Sequence, residues 1–134
     1  MTREIKFRVW DNKEKKFFEP TYEGYAGKVE CLSISLTGRL TKRTFNQPAI
    51  DESCFEGRYI LMQFTGLKDK NGKEVYESDI LKIYYENNQK SYLKEVKWLN
   101  DSINKGRWDA LDNCVFTSCE VVGNIFENSE LLNN

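Results

Sequence analysis

The chain has 134 residues, with 20 Lys and Arg against 21 Asp and Glu and no His, for a net charge of −1. Hydrophobic residues make up 40% and aromatics 13%, which supports a packed core and excludes a disordered chain. The charge balance gives no bulk pull toward nucleic acid or membrane, and the length suits one domain with room for two lobes.

Ile5, Phe7 and Val9 alternate with Lys6, Arg8 and Trp10, the pattern of a half-buried strand. A polar turn over residues 11–15 leads to a second strand at Lys16, Phe17 and Phe18. Residues 19–28, with Pro20, Gly24 and Gly27, read as loop. Residues 29–36 alternate again, with Leu32, Ile34 and Leu36 on one face and Cys31, Ser33 and Ser35 on the other. Thr37-Gly38 signals a turn, and residues 39–45 pair back with Leu40 pointing inward. Residues 46–57, holding Pro48, form a connection with one helical turn. A junction between lobes, if there are two, belongs there.

The centre of the chain is a hairpin whose first arm is residues 58–67. A two-residue loop on Asn71-Gly72 would set Lys70 opposite Lys73 and Asp69 opposite Glu74, two repulsive pairs. A type I turn over Asp69-Lys70-Asn71-Gly72, with Gly72 left-handed in a G1 bulge, pairs Asp69 with Lys73, Lys68 with Glu74 and Leu67 with Val75. At roughly 0.2–1 kcal/mol per cross-strand pair, three complementary pairs favour the second register.

Residues 80–86 are rich in β-branched and aromatic side chains and form a strong strand. Asn87-Asn88-Gln89 turns it, and residues 91–99 return with Val96 and Trp98 on one face, which places Trp98 in the core. Residues 100–106 are loop, and 107–111 and 113–117 are short extended pieces. The last strand, 119–126, is interrupted at Gly123. Residues 127–132 close the chain in a short helical turn capped by Asn128 or Ser129. No stretch has helical period, so short strands joined by regular turns predict an all-β barrel or sandwich. The tight turn at Asp79 before two longer antiparallel strands has SH3-like character.

The stretch LMQFTGLKDKNGKEVYESDI, the opening Ile5-Lys6-Phe7-Arg8-Val9-Trp10-Asp11 and the ending Val121-Val122-Gly123-Asn124-Ile125-Phe126-Glu127-Asn128-Ser129-Glu130-Leu131-Leu132 resemble the YopX family, small proteins of phages and prophages in Gram-positive bacteria. The resemblance spans the chain and brings the family's namesake itself into consideration. It implies a compact, partly open β-barrel of antiparallel hairpins, one YopX-like domain over residues 1–134, and a phage context; it implies no reaction. Ser78 stands where the family pattern has Gly, so the turn there is not expected to need positive φ. Ser129 stands where Pro is common.

The chemistry is bounded by what is missing. Without His there is no Ser-His-Asp or Cys-His arrangement, and no Gly-rich phosphate loop occurs. Cys31 and Cys54 are far apart, and Cys114 and Cys119 are separated by four residues. A structural zinc site is therefore not expected, and buried reduced thiols are. Glu77 with Asp79, and Asp109 with Asp112, are the carboxylate pairs that acid/base or Mg²⁺ chemistry would need. Asp79 is better explained by turn bonding to backbone N–H groups. No cofactor or metal is expected, and the chain reads as non-enzymatic.

Lys82 and Tyr84 alternate onto one strand face, with Lys94, Lys97 and Trp98 on the next strand and Lys105, Arg107 and Trp108 beyond. Lys82, Tyr84, Lys97, Arg107 and Trp108 form the candidate binding surface. From Asp109 on there are five acids and no base, so the first 108 residues carry 20 bases against 16 acids. A protein-interaction or assembly module is the preferred reading, with a host or phage protein or a second copy as partner. A nucleic-acid-binding face using lysines and aromatics is the alternative. No apolar run spans a membrane and no signal peptide is present, so the bacterial cytoplasm is the expected location.

Overall fold

The charge pattern of the central hairpin does select its register. In the computed structural model, which describes residues 4–20, 30–44, 47–100, 105–108 and 118–133, Lys68 faces Glu74 across the ladder. The Asp69 N–H donates to the Lys73 carbonyl at 2.8 Å, and the Gly72 N–H donates to the Asp69 carbonyl at 3.0 Å. Gly72 sits at φ +81°, the left-handed geometry of the bulged three-residue loop. The expected Leu67–Val75 pair does not form. The register shifts between Phe64 and Lys68, because the Thr65 hydroxyl takes the Val75 carbonyl at 2.7 Å and accepts from the Leu67 N–H at 3.3 Å.

The fold is all-β and its sheets are open, in the expected class of a partly open barrel of antiparallel hairpins. The chain divides into two compact units, Val9–Leu61 and Met1–Arg8 with Met62–Asn134. It passes from one to the other within β1 (Phe7–Asp11) and again within β6 (Tyr59–Lys68). Residues 46–57, where a junction was expected, lie inside the first unit.

In the Val9–Leu61 unit, β1 pairs with β2 (Lys16–Phe17), setting Trp10 opposite Phe17. The intervening turn is held by Asp11, which is 3% exposed. Its Oδ1 accepts from the Lys13 and Glu14 N–H groups at 3.0 and 3.2 Å, and Arg58 grips both carboxylate oxygens at 3.1 and 3.0 Å. A three-stranded sheet of β3 (Glu30–Ile34), β4 (Leu40–Thr44) and β5 (Ile50–Asp51) follows. Leu40 is buried as expected. Leu36 is not inward: it lies in the turn and is fully exposed. The helical turn of the connection is a 3-10 turn at Glu52–Phe55, where the Asp51 side chain accepts from the Ser53 N–H. Phe18 and Phe55 meet the Tyr59 ring edge-on at 5.7 and 5.2 Å.

In the other unit, β6 runs on through Met62 to Lys68 and pairs with β7 (Glu74–Tyr76). Then come β8 (Asp79–Tyr85), β9 (Lys90–Glu95), the β10 (Trp98–Asn100) and β11 (Lys105–Trp108) ribbon, and β12 (Cys119–Asn124). The sheet order is β12-β8-β9. Its core face packs Leu81 and Ile83 with Val75, Val96 and Cys119. Alternation was expected to run unbroken to Trp98, but β9 stops at Glu95. The Val96 N–H instead donates to the Asp79 carbonyl and the Val96 carbonyl accepts from the Ser78 N–H, both at 2.9 Å. Val96 is therefore fully buried while Trp98 is 49% exposed, correcting its expected place in the core.

Two further expectations change. Ser78 has φ +74°, so this turn does adopt the left-handed region without glycine. The Ser78 N–H bond to Val96 and the Ile125 N–H bond to the Ser78 carbonyl, 3.0 Å, hold it there. Cys119 is disulfide-bonded, with its partner outside the described residues, whereas Cys31 and Cys54 are free. Reduced thiols throughout were expected. Gly123 marks the bulge in β12, where the register shifts between Val121 and Gly123. A Cβ there would lie 2.5 Å from the Asn128 Oδ1. The chain ends in the expected short turn, a 3-10 turn at Ser129–Leu132. Among the described residues no helix is long and apolar enough to cross a membrane.

Candidate functional site

The site begins with how the central hairpin docks. Asp69 is 5% exposed. Its Oδ1 accepts from the Asn71 and Lys73 N–H groups, each at 2.9 Å, which closes the turn. Its Oδ2 accepts from the Val121 N–H of β12 at 2.8 Å. The Lys70 N–H adds a bond to the Cys119 carbonyl at 3.0 Å. Burial works against the Asp69 charge, but these N–H groups outweigh it and hold the carboxyl below its ordinary value. The turn is thus fastened to β12, and Lys70 and Asn71 are carried to that strand's solvent side.

There they meet Lys82 and Tyr84. Period-two alternation turns these two away from Leu81 and Ile83. The β8–β12 register puts Glu120 opposite Lys82. The Tyr84 hydroxyl donates to Glu120 Oε1, and Asn71 Nδ2 lies 3.5 Å from Glu120 Oε2. Lys70 Nζ stands 4.3 Å and Lys82 Nζ 5.3 Å from the centroid of the Tyr84 ring. The hydrogen bond to Glu120 raises the Tyr84 pKa, and the same bond, helped by both lysines, lowers that of Glu120. Leu93, the β9 partner of Lys82, is 36% exposed beside them. The arrangement is a half-buried tyrosine on the sheet face away from the core, with two ammoniums, one carboxylate and an apolar neighbour.

Of the five residues expected at a binding surface, the structure brings Lys82 and Tyr84 together. Lys97 is exposed, 3.9 Å from Glu95. It follows Val96, which bonds to Asp79 at the start of β8, the end of the strand away from Tyr84. Arg107 and Trp108 are placed by backbone alone, opposite Leu99 and Trp98 in β11; their side chains lie outside the described residues. Lys70, Asn71 and Glu120 were missed. No local pattern marks them, since 52 positions separate Asp69 from Val121.

The Glu77 and Asp79 carboxylates have other work. Asp79, 2% exposed, accepts from Arg8 at 2.7 Å and from the Tyr76 N–H at 2.8 Å, as turn bonding predicts. Burial raises its pKa even with Arg8 beside it. The Glu77 carboxylate takes the Gln63 N–H at 3.4 Å. Asp109 and Asp112 lie outside the described residues. Among the described residues, no group of three or more His, Cys, Asp or Glu could hold a metal ion. A concavity of about 700 Å³ in the Val9–Leu61 unit is walled by Phe17, Phe18, Glu30, Asp11 and Arg58 among others. The last two are already spent on each other.

Comparison with known proteins follows the same outline. A family model described as YopX protein matches residues 6–133. The chain is similar to the crystal structure of protein EF1440 from Enterococcus faecalis, at 29% identity and TM-score 0.56, covering 98% of this chain and 99% of that one. It is also similar to the crystal structure of protein yopX from Bacillus subtilis, at 21% identity and TM-score 0.58, covering 93% and 95%. At that identity the likeness is one of fold, and the chain is not the Bacillus protein itself. No curated protein matches.

Proposed function

The chain belongs to the YopX family, and from that premise we propose that it is a phage or prophage accessory protein acting as a non-enzymatic protein-interaction module. The carrying observation is the solvent face of the β12-β8-β9 sheet, where Tyr84 and Leu93 stand among Lys70, Lys82 and Glu120. Aromatic rings with apolar neighbours and a polar rim are what protein interfaces favour. The buried carboxylates Asp11, Asp69 and Asp79 are each engaged by Arg or backbone N–H groups, a use in holding strands and not in chemistry. The module works in the cytoplasm of the bacterium that makes it, on a host or phage protein.

The lysines beside Tyr84 also suit a nucleic-acid face. Glu120 sits among them, however, and two ammoniums already lie against the ring that a base would stack on. The test is capture on the immobilised chain from phage-bearing cells, with and without nuclease, alongside a Tyr84→Ala/Leu93→Ser variant. The expected result is a polypeptide retained regardless of nuclease and lost with the variant. Retention of nucleic acid alone overturns the proposal.

A further inference from the structure

Two cations of this unit are held by carboxylates: Lys6 pairs with Glu74 and Arg8 with Asp79. Lys70 and Lys82 differ. They come from separate elements, the hairpin turn and β8, yet both ammoniums lie within 5.3 Å of one ring centroid. Neither reaches a carboxylate at ion-pair distance among the described residues. Glu120 is nearby, but its oxygens are committed to the Tyr84 hydroxyl and Asn71. The cluster carries two positive charges and one negative, which leaves one charge to match. That suits a single carboxylate. A nucleic-acid strand presents successive phosphates and gains its affinity from many such contacts, and here it would meet Glu120 as well.

We infer that the Lys70–Tyr84–Lys82 face receives an acidic segment of a partner polypeptide, with an Asp or Glu carboxylate drawn to the lysine pair and an apolar side chain against Leu93. The inference rests on the protein-interaction reading above. The carboxylate replaces water around the two cations, each of which the Tyr84 ring attracts by cation–π contact. Leu93 supplies the apolar contact that a free anion lacks, so the ligand is a peptide segment and not a lone acid.

The test uses the full chain and three labelled probes: a short peptide alternating Glu and Leu, its Gln-for-Glu counterpart, and oligothymidylate of matched length. Each is titrated by fluorescence anisotropy against wild type, Lys70→Met, Lys82→Met, the double variant, and a Lys13→Met/Lys90→Met control of equal charge change. The acidic peptide is expected to bind, with each single loss weakening it about threefold and the pair about tenfold. The control is expected to match wild type and the Gln peptide to be much weaker. The inference is overturned if the double variant binds the acidic peptide like wild type. It is also overturned if the Gln peptide matches the Glu peptide, if oligothymidylate binds more tightly, or if the acidic peptide does not bind at all. A polypeptide captured equally by wild type and the lysine double variant would sink this inference and leave the interaction module standing. Wild type that captures no polypeptide removes both.

Discussion

Asp69 is the residue on which the hairpin most depends, and Asp69→Asn separates its two jobs. The amide keeps one carbonyl oxygen, which can still accept from the Asn71 and Lys73 N–H groups as Oδ1 does. Its NH₂ would then face the Val121 N–H, which now donates to Oδ2 at 2.8 Å. One charge-assisted bond is replaced by two opposed donors. Leaving a buried donor unsatisfied costs about 1–3 kcal/mol, so a loss of about 2 kcal/mol is expected at neutral pH. Asp69→Ala removes all three acceptor contacts and is expected to cost about 3–4 kcal/mol. Urea unfolding followed by fluorescence measures both, and hydrogen exchange should show the Val121 amide opening in Asp69→Asn. The carboxyl pKa is held below its ordinary value in the fold. Its stabilisation is therefore fully present above the unfolded value, about 3.9, and is lost as pH falls through the lower folded value. The gap between wild type and Asp69→Asn should accordingly close on the acid side and stay constant above about pH 5. Equal stability of wild type and Asp69→Asn at pH 7, or a gap that widens in acid, would refute the account.

Ser78 at φ +74° bears left-handed strain that glycine does not. Ser78→Gly should raise stability by about 0.5–1 kcal/mol after its extra chain entropy, read from the urea midpoint; a lower midpoint would count against this. Gly123→Ala forces a Cβ against the Asn128 side chain, whose Oδ1 accepts from the Asn124 N–H at 3.2 Å. A cost of about 1–3 kcal/mol is expected, and a neutral result would show that Asn128 swings away freely. The Tyr59 hydroxyl is buried without a hydrogen-bond partner among the described residues. Tyr59→Phe should be at least as stable as wild type, by up to about 1 kcal/mol, and a marked loss would reveal a partner.

Where local physics decided the structure, the sequence was legible. The three-residue loop could be chosen from cross-strand charges alone, since only that register sets Lys68 against Glu74. Leu40 and the C-terminal turn were readable from alternation and composition. Trp98 was not. Its place depends on β9 ending at Glu95 so that Val96 can bond with Ser78 and Asp79, a tertiary event that period-two counting cannot see. Ser78 misled in the opposite direction. A non-glycine residue suggested ordinary backbone, but hydrogen bonds from two other segments impose the left-handed conformation. The Cys119 disulfide likewise escaped an argument made from spacing alone.

The candidate site divides along the same line, and this bears on how its variants behave. Lys82 and Tyr84 sit within β8 and were legible from alternation; their positions need no more than that strand. Lys70 reaches Tyr84 only because Asp69 and the Lys70 N–H fasten the turn to β12. Asp69→Asn should therefore weaken capture of an acidic segment through Lys70 while leaving the share due to Lys82. In Lys70→Met, by contrast, adding Asp69→Asn should lower stability with little further loss of binding. If the two losses multiplied instead, Asp69 would be acting on the ligand by some route other than the placement of Lys70.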